Sequence, residues 1–264
     1  CNAGWVQEAE FYIQITIAYD LLFHSDYLDD RVHKGMELML RNYMDFAGWR
    51  LTDGDGNNFQ LAEMTAGLFC AFVLQDYNWI IRFIQGKNGF IDLLSSVFYD
   101  DGVYFEGATS YMRLAADIFF EVVNGSQNFG INLKDMIVPA SFDKNILHAP
   151  WAMREKSSDD GKPFLGMKFE NKLPVLSPIR TLKQYFDALL LLLNDKGIMF
   201  SMNDSNEHYF FEVFDRAYYL YHDDRYAAVI NKAPQRYLLF GLDELPGTDF
   251  ALGKETHLLP SSGL

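Results

Sequence analysis

Apolar residues at Val6, Ala9, Ile13, Ile17 and Leu21 recur at intervals of three and four, which predicts an amphipathic helix from Trp5 to Phe23. Polar residues Ser25 to Asp30 predict a turn. A second helix is expected from about Arg31 to Phe46, with Met36, Met39, Leu40 and Tyr43 on its inner face and Asp29 or Asp30 as its cap. These two segments read as an antiparallel helix pair. The Gly-, Asp- and Asn-rich stretch Thr52 to Asn58 then feeds a third helix through Leu61, Ala62, Thr65, Ala66 and Phe69 to about Leu74. A fourth is expected from about Trp79 toward Phe98. After the turn at Asp100, Asp101 and Gly102, a fifth runs from Thr109 to Val123, lined by Leu114, Ile118 and Phe119.

The periodicity weakens between Asn124 and Pro178, where Glu155 to Pro163 reads EKSSDDGKP, so long loop and short helix are expected there. Helical spacing returns at Ile179 to Leu193, about Glu207 to Tyr221 and Arg225 to Ile230, with GIMFSMNDSN between the first two. The tail, RYLLFGLDELPG and then THLLPSSGL, has shorter apolar runs and more turns. The pattern divides the chain into a helical region, 1–235, and a short irregular or β tail, 236–264. No strand-rich stretch precedes that tail, so the fold class is all-α.

Composition narrows the function classes. At 264 residues and 49% hydrophobic, the chain can bury a substantial core. Its formal charge of -14 and pI near 4.7 exclude a general nucleic-acid binder, since phosphate backbones need Lys and Arg to displace counterions. The same charge favours a weakly charged polyuronate over a dense polyanion such as heparin. Cys1 and Cys70 make no disulfide framework, and Cys70 lies in an apolar run where a buried thiol is expected. The longest apolar runs, Ala66 to Leu74 and Ala188 to Leu193, fall far short of the ~20 residues of a membrane span. No Cys/His spacing suits zinc, and neither a G-x-S-x-G elbow nor a phosphate-binding glycine loop is present. Asp53, Asp55 and Asn57 begin like a calcium loop. Asn58 then stands where glycine is required, and Glu63 comes one residue before the bidentate position. No metal and no cofactor are expected.

Two segments carry candidate chemistry. DGVYFEGATSY, Asp101 to Tyr111, places Glu106 and Gly107 just before a helix and Tyr111 about one turn inside it. GDGNNFQLAEMTAG, Gly54 to Gly67, places the amides of Asn57 and Asn58 at another helix start. Together they resemble the paired motifs of the heparinase II/III-like polysaccharide lyases, which carry an Asn followed by an aromatic or His at one helix start and a DG-x-Y-x-EG-x-x-x-Y signature some forty residues on. MNDSN, Met202 to Asn206, resembles the short Gly-Asp-Ser-type loop of the same family, with Asn203 in place of Gly.

The resemblance implies an incomplete (α/α) toroid of antiparallel helix pairs, followed by a β-sandwich that the tail would enter. It implies a secreted or periplasmic bacterial enzyme that cleaves a uronic-acid glycan by β-elimination. Asn58 would neutralise the uronate carboxylate and Tyr111 would act as acid and base. Asn57, Phe59, Glu106, His148, Asp204 and Ser205 would contact or brace the sugar, and the partners would be an acidic polysaccharide and the missing sandwich. The chain departs from the pattern at Phe59, where some branches carry a catalytic His. A second acid/base residue comes from the sandwich in relatives.

Each of these residues has a plainer role open to it. Asn57 and Asn58 suit a helix cap, Tyr111 a rim or core position, and Glu106 the positive end of a helix dipole. MNDSN would cap a helix beginning near Glu207. His24, His33, His208 and His222 suit a solvated surface. At the level of function, a non-catalytic helical glycan-binding module or degenerate lyase would use the same aromatic residues, 16% of the chain, to stack on sugars. A toroidal glycoside hydrolase would need two carboxylates, with Glu106 paired to Asp55 or Asp204.

Overall fold

A computed structural model of the chain describes residues 6–52, 56–140, 179–203, 205–233, 245–253 and 259. Among them the protein is all-α in class: helices dominate, and the strands are two residues long. The residues group into two compact units, Cys1–Leu94 with Asp117–Leu133, and Ser95–Ala116 with Lys134–Leu264.

In the first unit α1 spans Val6–Leu22, α2 Asp30–Arg50, α3 Asn58–Val73 and α4 Tyr77–Gln85, joined by the later part of α6, Thr109–Gln127. Helix α3 is the centre. Its sequence is apolar on every side, and every residue from Gln60 to Phe72 is buried, as fits a helix surrounded by others. Helices α1, α2 and α4 pack on it. The expected α1–α2 pair is thus mainly two helices sharing α3 as partner, linked to each other by contacts that include the Tyr12–Tyr43 ring stack at 3.7 Å and the Tyr19–His33 hydrogen bond. Ile80, Phe83 and Ile84 of α4 are fully buried, each contributing roughly 1.5–3 kcal/mol. Asp29 caps α2 by accepting from the Val32 N–H at 2.9 Å. Helix α1 is apolar outward as well as inward: Phe11, Leu21 and Leu22 are more than half exposed.

The single helix expected from Trp79 toward Phe98 is two, α4 and α5 (Phe90–Ser96). Gly86, Asn88 and Gly89 break it. Asn88 takes a left-handed φ of 59°, its side-chain amide donates to the Leu51 carbonyl at 2.6 Å, and its own N–H is accepted by Asp92. Helix α2 runs four residues past the expected Phe46, and α6 runs past Val123 to Gln127.

In the second unit β1 (Val138–Pro139) pairs antiparallel with β2 (Ile179–Arg180), Val138 opposite Arg180. The helix expected from Ile179 therefore begins later, as α7, Leu182–Leu191. Thr181 and Gln184 start it by exchanging hydrogen bonds in a capping box. Strand β3 (Ile198–Met199) pairs with β4 (His208–Tyr209), and this pairing delays the helix expected from Glu207 to α8, Phe211–Tyr221. Helix α9 covers Asp224–Ile230. Buried Arg180 pairs with buried Asp100, and removal of one partner from such a pair costs about 3–5 kcal/mol. Asp223 and Asp187 share Lys183 and Arg225, which ties the starts of α7 and α9 together.

Of the tail, residues 245–253 form neither helix nor strand. The rest of 236–264 other than Leu259, and all of 141–178 with His148, lie outside the described residues. No helix among the described residues is long and apolar enough to cross a membrane.

Candidate functional site

The candidate residues gather at two helix starts, one in each unit. At the start of α3, Gly56 holds a left-handed φ of 63° and delivers the chain to Asn57. Asn57 is extended, and its side-chain oxygen accepts the Gln60 N–H at 3.0 Å while its carbonyl accepts the Leu61 N–H. It is therefore the N-cap, the plainer of its two roles. Gln60 reaches back so that its side-chain oxygen accepts the Gly56 N–H at 2.6 Å. Asn58, the first helical residue, is 6% exposed, and Phe59 is half-buried. One turn on, the buried Glu63 carboxylate accepts from Arg50 Nε at 2.9 Å.

The start of α6 is built differently. The stretch Phe98 to Gly107 folds back on itself: the Tyr99 N–H donates to Val103, Phe105 to Val97 and Gly107 to Tyr104. Gly102 sits at φ 87°, where a Cβ would stand 2.6 Å from the Gln184 carbonyl oxygen, so only glycine fits. Gly107 sits at φ 62°. Helix α6 then receives its cap from far along the chain. The Ser205 hydroxyl accepts the Ser110 N–H at 2.8 Å, and the Thr109 hydroxyl donates to the Phe200 carbonyl while accepting the Met202 N–H. The Asn203 side-chain amide donates to the Gly107 carbonyl at 2.9 Å. Asn203 itself is left-handed at φ 53°, a conformation Asn adopts more readily than other non-glycine residues.

MNDSN thus does not cap the helix that follows it. That helix starts at Phe211, after Phe210, which makes no side-chain cap hydrogen bond. The loop instead braces α6, and Ser205 takes the bracing role rather than standing open in a cleft.

Tyr111 lies in the first turn of α6, half-buried. Nearby, the fully buried Tyr104 hydroxyl donates to Glu106 Oε2 at 2.7 Å. Burial pushes the Tyr104 phenol well above its ordinary pKa, and the charge of Glu106 pushes the same way, with a smaller push from Tyr111. Tyr104 therefore keeps its proton and holds the Glu106 carboxylate as a hydrogen-bond donor. Sequence reasoning missed it, because the contact depends on a turn: Phe105 and Glu106 lie in the turn closed by the Gly107 N–H on the Tyr104 carbonyl, and this turn brings the Glu106 carboxylate to the Tyr104 hydroxyl. It missed Gln60 and Thr109 too. Gln60 carries the usable signal, an amide three residues after an N-cap candidate.

His148, Asp204, Asp53 and Asp55 lie outside the described residues. Among those described, no group of three or more His, Cys, Asp or Glu is arranged to hold a metal ion. An open groove of about 790 Å³ in the first unit lies at the opposite end of α3 from Asn58, lined by Tyr19, Phe23, His24, His33 and Lys34 from α1, α2 and the turn between them, and by Leu74. There His33 Nδ1 meets the Tyr19 hydroxyl at 2.8 Å, so His33 is engaged with the core edge rather than simply solvated. No protein-family model matches the chain, and no curated protein matches it.

Proposed function

We propose that this chain is the helical, toroid-type domain of a polysaccharide lyase that cleaves a uronic-acid glycan by β-elimination. The observation that carries the proposal is the start of α6. A half-buried phenol, Tyr111, stands in its first turn, five residues after a carboxylate held by a buried tyrosine, and follows a turn that contains two left-handed glycines. Support for a helical domain comes from α1, α2 and α4, which pack on α3.

Elimination requires loss of the proton at C5, next to the carboxylate, and departure of the C4 oxygen. A charged carboxylate opposes carbanion formation, so an amide hydrogen-bonded to it lowers the barrier. Asn58 is assigned that role. Tyr111, as phenolate, takes the C5 proton; the electron pair forms the C4=C5 double bond as the C4–O bond breaks; the phenol returns its proton to the leaving oxygen. Glu106, neutralised in part by the Tyr104 hydrogen bond, orders the turn that presents Tyr111.

The test is the ultraviolet absorbance of the unsaturated uronate product on alginate, hyaluronan, chondroitin and heparan. We expect product on at least one glycan, and a 10²–10⁴-fold lower rate in Tyr111→Phe with unchanged thermal stability. Binding without product on any glycan would replace the lyase with a glycan-binding module.

A further inference from the structure

We infer that Gln60 is a second amide donor in a carboxylate subsite at the start of α3, and that this subsite selects an acid sugar over a neutral one. The inference rests in part on the lyase proposal, which puts a uronate at Asn58.

The chemistry of Gln60 is fixed by its neighbour. The Gly56 N–H can only donate, so the side-chain atom that meets it at 2.6 Å is the oxygen, and the other arm of the same planar amide is the NH₂. The residue is 1% exposed, and that NH₂ has no hydrogen-bond acceptor among the described residues. A buried donor without an acceptor is costly and calls for an explanation. Its position supplies one. Because the side-chain oxygen folds back to Gly56, one residue before the N-cap, the amide of Gln60 lies toward the N-terminal end of α3, where the first-turn backbone N–H groups also point.

Everything contributed there by Gln60 and the helix end is a donor, and the helix dipole adds positive potential. The nearest acid on the helix, Glu63, is offset by Arg50. A carboxylate, which only accepts and carries negative charge, matches such a site; a sugar hydroxyl or a cation matches it poorly. Asn57 is already committed to its cap through its side-chain oxygen, and Gln60 Nε2 supplies the buried donor that orients the ligand.

The experiment follows the side-chain NH₂ resonances of Gln60 in the full chain by nuclear magnetic resonance during titration with sodium glucuronate and, separately, glucose. Saturable shifts with glucuronate and none with glucose are expected. Gln60→Glu keeps the oxygen for Gly56 but replaces the donor with a negative oxygen, and should weaken glucuronate binding about tenfold or more. No shift, equal shifts with both sugars, or unchanged binding in Gln60→Glu would overturn the inference; equal shifts would mean that any hydroxyl or water satisfies the NH₂. If Gln60→Glu fails to fold, the wild-type titration alone decides. Glucuronate-specific shifts in a chain that makes no unsaturated product would remove the lyase proposal and leave the subsite. Product formation with KM unchanged in Gln60→Glu would do the reverse.

Discussion

Helices α3 and α6 both begin after a left-handed glycine, Gly56 at φ 63° and Gly107 at φ 62°, and both present a candidate side chain in their first turn. They satisfy their first amides in opposite ways. The cap of α3 comes from Asn57, three residues from the N–H it accepts. The cap of α6 comes from Ser205, 95 positions away, with Thr109 and Asn203 adding further bonds between the same segments. A local cap holds its helix wherever the segment goes. A remote cap makes the helix start conditional on a loop, so the placement of Tyr111 depends on the turn between β3 and β4.

The largest break in this contrast should come from Gly102→Ala. The substitution forces a side chain into left-handed backbone and against the Gln184 carbonyl oxygen, which is main chain and cannot swing away. We expect a loss of about 3 kcal/mol, read by chemical denaturation. A loss below about 1 kcal/mol would mean the turn before α6 is loose. Smaller, but more discriminating, is a pair of glycine substitutions. Glycine is a tolerated N-cap, so Asn57→Gly should cost only a few tenths of a kcal/mol. Ser205→Gly removes a remote acceptor that backbone freedom cannot replace, and should cost about 1 kcal/mol and speed amide exchange at Ser110. Equal costs would erase the distinction between local and remote caps.

The smallest effect concerns a third start, that of α9, where a local cap is reinforced by charge. The Asp223 carboxylate accepts the Arg225 N–H at 3.1 Å and pairs with the Arg225 guanidinium and with Lys183. Arg225 first, then Lys183, holds its carboxyl well below the usual range. A depressed carboxyl stabilises the fold above its ordinary pKa of about 4, and that contribution is lost as the pH falls below it. Because both cations are more than a third exposed, the expected size is about 1 kcal/mol or less. Thermal denaturation between about pH 5 and pH 2 should therefore be steeper in the native chain than in Asp223→Asn. Identical slopes would show that charge adds nothing to this cap.

The same contrast explains what could be read from the sequence. Helices α1, α2 and α3 follow from apolar spacing, and Asn57 as a cap follows from residue type and position, because both are local properties. Thr181 and Gln184 form a capping box visible in the sequence, but the helical spacing beginning at Ile179 concealed it, since nothing local shows that Ile179 and Arg180 pair with Val138 and Pro139. The plainer role open to MNDSN, a cap for the helix near Glu207, names the wrong helix for the same reason. Its Ser and Asn are good caps, and only the folded chain shows that they serve a helix 95 positions upstream. Tyr104 escaped notice because a tyrosine in an aromatic-rich chain signals nothing until its hydroxyl is seen against Glu106.

Cys70 lies twelve residues beyond Asn58 on α3, fully buried, and burial raises its thiol far above the range in which thiolates form. It is consequently inert toward alkylation while the helix is packed. In a Cys1→Ser chain it is the remaining thiol, so its rate of modification becomes a clock for transient opening of the first unit. When closing outpaces labelling, each tenfold change in that rate corresponds to about 1.4 kcal/mol in opening free energy. A residue with no part in sugar chemistry thus reports, in units of time, how firmly the helix that carries Asn58 is held.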